Sequence, residues 1–254
     1  MITEPLNQSY DEPAAIQAIV DALETFYERL TANLDGIDIY KILKKKNLYL
    51  YRAKGVLTAA EVVDSILAAF VSSSEETLFG NLFFEPLAIV VSGGQKAMTE
   101  GADITVDADT AIYTIAVKSG TSVFNADSRK RQEQNFAAAA KRAQQARKAF
   151  FPVIGYGYGK KNTNRNGTME LARRDFWWWL TGDKDFYTKI ITYMGTKPEE
   201  YAKTFRAAYA RALNRMTLDF SINFCDETGA IDWEKLIAFN SGSSDKQGLS
   251  KVEE

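Results

Sequence analysis

The sequence predicts an α/β protein with a β-rich centre between two helical ends, and three observations carry that prediction. Apolar residues recur at three- and four-residue spacing through the first and last thirds of the chain. Two β-rich segments, 102–106 and 111–118, are joined by the short acidic turn Asp107-Ala108-Asp109-Thr110 and read as a hairpin. A long alanine-rich helical stretch then separates that hairpin from a third β-rich run.

In order along the chain, Pro13, Ile16, Ile19, Val20, Leu23, Phe26, Tyr27 and Leu30 mark an amphipathic helix over 13–34. Thr58 followed by Glu61 is a capping box that opens a second helix through Val62, Ile66, Leu67 and Phe70. Ser72 to Ser74 are expected to break it, with another helical run from Glu75 to Val91 before the turn Ser92-Gly93-Gly94. After the hairpin, a helix is expected over 127–150 and a third strand over 152–158. The Gly155-Tyr156-Gly157-Tyr158-Gly159 alternation has the period of a strand and not the spacing of a nucleotide-binding glycine loop. The segment 159–167, with Lys160, Lys161 and Arg165, reads either as a DNA-contacting finger or as a solvated loop. Helices are expected over 175–180, 199–220 and 233–239. Trp177, Trp178 and Trp179 spread over about 200° of a helix, so they cannot share one buried face. Three regions follow: a helical 1–74 that belongs to the main domain or serves dimerisation, a core of 75–240, and a flexible tail of 241–254.

Composition excludes several chemistries. There is no histidine among the 254 residues, hence no histidine triad, no histidine-ligated zinc and no histidine general base. Cys225 is the sole cysteine and sits in an apolar stretch, which suits a small core residue better than a nucleophile. No apolar run approaches the roughly 20 residues of a membrane span and the first ten residues lack a signal-peptide pattern, so a cytoplasmic protein is expected.

The formal net charge of −2 conceals a segregation. Residues 118–174 carry 13 basic and 3 acidic side chains, and the rest of the chain a net of −12. A second basic block, Lys41, Lys44, Lys45, Lys46, Arg52 and Lys54, is interleaved with Tyr40, Tyr49 and Tyr51, with no acid from 41 to 60. Such patches concentrate phosphate-bearing ligands.

The hairpin carries the chemistry. Asp103 stands near the start of its first strand, and Lys118 ends a second strand whose neighbours Ile112, Ile115 and Val117 are apolar. A carboxylate and an ammonium at adjacent strand ends form either an edge-strand ion pair or a site completed by a metal and a phosphate.

That frame, an aspartate on a hairpin followed by a strand-end lysine and a basic helix, resembles the PD-(D/E)xK nuclease superfamily. Lys118-Ser119-Gly120, Gly80 with Glu85, Val153-Ile154-Gly155 with Tyr158-Gly159-Lys160, Phe176-Trp177-Trp178, and Asp232-Trp233-Glu234-Lys235-Leu236 with Phe239-Asn240-Ser241-Gly242 resemble type II restriction endonucleases of the PmeII-like group. The resemblance covers about 44–242 and implies a restriction-endonuclease-like core, a central mixed sheet flanked by helices, with helical additions at both termini. Two positions depart from the pattern: Ala102 replaces the name-giving proline, and Ala116 stands where most members carry a metal-ligating acid. Either the second acid comes from the preceding helix, where Glu85 lies in an apolar context and Glu75 and Glu76 are alternatives, or the carboxylate is lost and the enzyme binds DNA without cutting it.

The resemblance further implies Mg²⁺-dependent, sequence-specific hydrolysis of double-stranded DNA to 5′-phosphate ends. Asp103, Glu85 and the carbonyl of Val117 would ligate the metal, and Lys118 would orient the attacking water. Ser119, Asn125, Ser128, Arg129, Lys130, Arg131, Lys160, Lys161 and Arg165 would contact DNA. A duplex cut on both strands implies a homodimer, and a restriction system implies a cognate DNA methyltransferase as functional, not physical, partner. A catalytically inactive DNA-binding protein and a non-specific or structure-specific nuclease are the competing expectations.

Overall fold

The computed structural model describes residues 4–120, 123–159 and 161–242. The described residues divide into two compact units, one of 4–26 and 76–200 and the other of 27–75 and 201–242. The chain passes between them within three helices, α1 (Glu12–Asp35), α4 (Ala59–Phe79) and α9 (Lys197–Phe224).

The first unit is an α/β layer structure. Its six strands are β1 (Gln95–Lys96), β2 (Ile104–Asp107), β3 (Ala111–Lys118), β4 (Ala149–Tyr156), β5 (Thr163–Arg165) and β6 (Thr168–Ala172). They lie in the order β1-β2-β3-β4-β6-β5, parallel at β3/β4 and β4/β6 and antiparallel elsewhere. The sheet is therefore mixed, as expected. The expected hairpin is β2/β3, and α6 (Ala126–Gln145) makes the crossover from β3 to its parallel neighbour β4. Ala116, Ile154, Tyr156 and Ala172 form an apolar cluster with Phe136 of α6. On β4, Gly155 faces the helix α7 (Arg173–Thr181): a Cβ there would stand 2.0 Å from the Phe176 ring, so the glycine alternation serves a close strand–helix approach. Helices α5 (Glu85–Ser92) and α8 (Phe186–Met194) complete the unit.

In the second unit α2 (Ile39–Leu43), α3 (Leu48–Ala53) and α10 (Trp233–Asn240) join segments of α1, α4 and α9 around Leu43, Ile66, Met216, Phe220, Phe224 and Phe239. The capping box is formed: Glu61 N–H donates to Thr58 Oγ1 at 3.2 Å and Thr58 N–H to Glu61 Oε2 at 3.0 Å. Cys225 is half-buried, and burial pushes its thiol up, away from a reactive thiolate.

Several boundaries differ from the sequence reading, each for a physical reason. The serines do not break the helix: Ser74 Oγ donates to the Phe70 carbonyl at 3.0 Å, and α4 runs on to Phe79. The irregularity falls instead at Gly80–Phe84, a π-helical turn immediately before Glu85 and Pro86. Pro86 cannot donate an amide and crowds the carbonyl four residues back, so the regular ladder cannot continue through it. The alanine-rich helix stops at Gln145 and not near 150, because Ala149–Phe151 are recruited into the sheet opposite Ala111–Tyr113. Strand β4 accordingly starts three residues before the expected strand and ends at Tyr156. The expected loop 159–167 contains β5 and turns into β6 at Asn166 (φ 52°) and Gly167 (φ 78°). That Asn-Gly pair, with positive φ at both positions, is a hairpin signal the sequence reading passed over. Helices α2, α3 and α8 were not anticipated either. Of the three tryptophans, Trp177 and Trp179 are buried, while Trp178 is half-buried beside Asn162 and Asp175. Of the flexible tail expected over 241–254, residues 241 and 242 form a turn after α10, and 243–254 lie outside the described residues.

Candidate active site

Asp103 precedes β2 by one residue, and hairpin pairing carries it to the end of β3: its amide donates to the Ile115 carbonyl at 2.9 Å. Asp103 Oδ2 accepts a hydrogen bond from Val117 N–H at 2.6 Å and stands 3.7 Å from Lys118 Nζ. Both side chains are about one-fifth to one-quarter exposed, at 20 % for Asp103 and 25 % for Lys118. They are open enough to meet a ligand.

Glu85 reaches this hairpin through the π-helical turn. A Cβ at Gly80 would lie 2.4 Å from Ser119 Oγ and 3.0 Å from its Cβ, so the turn can approach the strand end only because residue 80 is glycine. Glu85 heads α5, is 22 % exposed, and pairs with the well-exposed Lys96 at 3.7 Å. Its carboxyl is held above the usual carboxylate range, first by desolvation and then by the charge of Asp103, against the opposing pull of Lys96 and Lys118. That coupling puts Glu85, Asp103 and Lys118 within electrostatic reach of one another. Glu76 is exposed on α4, and Glu75 in the second unit raises the pKa of Tyr27.

Ala116 is fully buried in the apolar cluster under α6. A carboxylate at that position would enter a hydrocarbon setting, and a second acid for this hairpin has to come from another element. Among the described residues no three Asp, Glu, His or Cys side chains gather into a metal-binding group; Asp103 and Glu85 are the two acids whose charges bear on each other here. Two hard oxygen donors held together against their repulsion fit a Mg²⁺ ion, which keeps several waters and takes the remainder of its shell from a substrate phosphate.

The basic residues divide by placement. Asn125 and Ser128 cap α6 reciprocally: Ser128 N–H donates to Asn125 Oδ1 at 2.8 Å and Asn125 N–H to Ser128 Oγ at 2.9 Å. Arg129 turns inward. It donates to Glu170 Oε1 at 2.6 Å and lies over the Phe124 ring at 4.3 Å, while Tyr156 OH donates to Glu170 Oε2 at 2.9 Å. Its guanidinium is paired with a buried carboxylate. Arg131 pairs with Glu100 at the surface. Lys130, Lys161 and Arg165 are exposed and form no ion pair among the described residues. Lys160 falls outside the described residues.

Sequence reasoning did not single out Lys96, or the Arg129–Glu170–Tyr156 network. For Glu170 a signal existed: it is the one acid inside the otherwise apolar run Met169 to Ala172, and burying a lone carboxylate requires a cationic partner. No comparable signal marks Lys96, whose partner is set by where the chain turns.

A mixed six-stranded sheet flanked by helices, with α6 crossing between its parallel strands β3 and β4, is a restriction-endonuclease-like α/β fold. A family model described as type II restriction endonuclease EcoO109I matches residues 14–202, well over half of the chain, and the chain belongs to that family. No curated protein matches it. The chain is thus a member of a type II restriction endonuclease family, and DNA is the substrate that this membership implies.

Proposed function

We propose that the protein cleaves both strands of duplex DNA at a specific sequence, depends on Mg²⁺, leaves 5′-phosphate ends and acts as a homodimer. The observation that carries this reading is the hairpin geometry, in which Asp103 Oδ2 accepts from Val117 N–H at 2.6 Å and stands 3.7 Å from Lys118 Nζ, with Glu85 near enough to feel the charge of both. Asp103, Glu85 and the Val117 carbonyl are the metal-holding groups, and Val117 N–H orients the Asp103 carboxylate. The metal, when bound, supplies the charge that lowers the pKa of a water at the scissile phosphate. Lys118 orients that water and stabilises negative charge developing on the phosphate oxygens. Lys130, Lys161 and Arg165 supply backbone affinity, with Ser119, Arg131 and Lys160 as further contacts. Within the family, the motifs around Lys118-Ser119-Gly120 and Asp232-Trp233-Glu234 favour a PmeII-like placement. A cognate methyltransferase completes the restriction system.

A second reading has one specific observation behind it: the absent carboxylate at Ala116 favours a protein that binds DNA without cutting. Incubating plasmid or phage DNA with the protein and Mg²⁺ separates the two. Discrete bands support the endonuclease, a smear points to an unspecific nuclease, and retained gel shift without cleavage supports the binder.

A further inference from the structure

We propose that the second unit carries a DNA-backbone site of its own, a lysine-lined cleft that holds phosphates other than the scissile one. This rests on the reading of the chain as an enzyme that acts on duplex DNA. The cleft is bounded by the end of α1, by α2 and by the 69–74 stretch of α4, and encloses about 590 Å³. Lys41, Lys45 and Lys46 line it together with Asn33 and Ser74.

Its charge is uncompensated. None of Lys41, Lys44, Lys45, Lys46, Arg52 and Lys54 makes an ion pair among the described residues, and residues 41–60 include no acid. Two carboxylates near the cleft have other partners. Asp38, which also lines the cleft, accepts from the Tyr40 and Lys41 amides as the N-cap of α2, and Asp35 pairs with Arg211 at 3.8 Å. A like-charged cluster without counter-charges costs stability by self-repulsion, and a polyanion relieves it.

The shape of the cluster favours a repeating ligand over a single small anion. Beyond the cleft, Lys44 lies over the Phe239 ring at 5.1 Å and Arg52 over the Trp233 ring at 5.6 Å, so both heads are held at the surface of the unit. Tyr49, on α3 between them in sequence, is 65 % exposed and offers a flat apolar face of the kind that packs on sugars. Cations on α2, on α3 and in the turn between them, beside an exposed ring, make an extended basic surface suited to a polyanionic strand.

The test is the salt dependence of binding to a labelled duplex, measured without divalent metal so that no cleavage intervenes. The triple variant Lys41→Gln/Lys45→Gln/Lys46→Gln is expected to bind roughly tenfold more weakly, with a log–log salt slope shallower by about 0.9 for each phosphate contact removed. In the unaltered protein, duplex DNA is expected to protect the same three lysines from acetylation, read by mass spectrometry; this arm needs no variant to fold. An unchanged slope with unprotected lysines overturns the inference while leaving the nuclease reading intact. Protection by inorganic phosphate but not by DNA also overturns it. If the unaltered protein binds no duplex at all, the reading of the chain as a DNA enzyme fails first.

Discussion

Asp103 Oδ2 accepts the Val117 amide at 2.6 Å, and the same oxygen is the one that faces Lys118 Nζ at 3.7 Å. The hairpin backbone therefore aims the carboxylate, and the ion pair with the lysine is loose enough to be opened by a ligand. Lys118→Ala should lose at least about a hundredfold in cleavage rate, the scale expected on removing one charged donor from a developing phosphate charge, and should keep DNA affinity within a few-fold. Parallel plasmid-cleavage and gel-shift assays check this, and unchanged cleavage removes the proposed site.

Glu85→Gln should separate activity from stability. Ionisation of Glu85 is disfavoured in the fold, since burial and then the charge of Asp103 raise its pKa. The neutral amide keeps the shape without the charge. Cleavage should be lost while the metal-free protein gains about 2 °C in Tm, a shift corresponding to a fraction of a kcal/mol. A variant that cuts normally, or one in which only Glu75 or Glu76 proves essential, reassigns the second acid.

Ala116→Glu tests the same point from the other side. Residue 116 is sealed among Phe136, Ile154 and Tyr156, so a carboxylate there should destabilise by about 2–3 kcal/mol. Denaturant unfolding measures the loss. A gain in Mg²⁺-dependent cleavage would show that the hairpin accepts an acid at this position and that Glu85 is not its substitute.

The Tyr156 hydroxyl, buried against Glu170, has its pKa pushed up to about 12, first by burial and then by that carboxylate. A folded pKa raised above the unfolded value of 10.0 contributes stability that is complete below pH 10 and is lost as pH rises through 12. Tyr156→Phe should therefore cost about 1–2 kcal/mol at pH 7, because Glu170 loses a buried donor. It should also flatten the fall in stability between pH 10 and 12. Urea titrations at stepped pH give both quantities.

Gly80→Ala should destabilise by about 1–3 kcal/mol, because the new methyl meets Ser119 Oγ at 2.4 Å. The double variant Gly80→Ala/Ser119→Gly should recover most of that loss. Additive losses in this cycle would mean that residues 80 and 119 are not in steric contact.

The hairpin, the capping box at Thr58 and Glu61, the basic run after Lys118 and the pair Asp103 and Lys118 were all readable from residue type and spacing, because each is local or lies within one turn of a strand pair. The absence of histidine alone confined the chemistry to carboxylates, lysines, tyrosines and water. What spacing could not supply is which distant segments meet. Residues 201–242 join 27–75 in one unit. Arg129 spends its charge on Glu170, 41 residues away, instead of facing outward with Lys130. The end of α6 is set by β3, whose parallel register draws Ala149–Phe151 out of a helix-favouring run. Glu85 follows a π-helical turn whose Gly80 leaves room for the close approach to Ser119. Local sequence decides propensity and the inventory of charges, whereas pairing between remote charges and strands depends on the free energy of burying them together, which exists only once the chain has closed on itself.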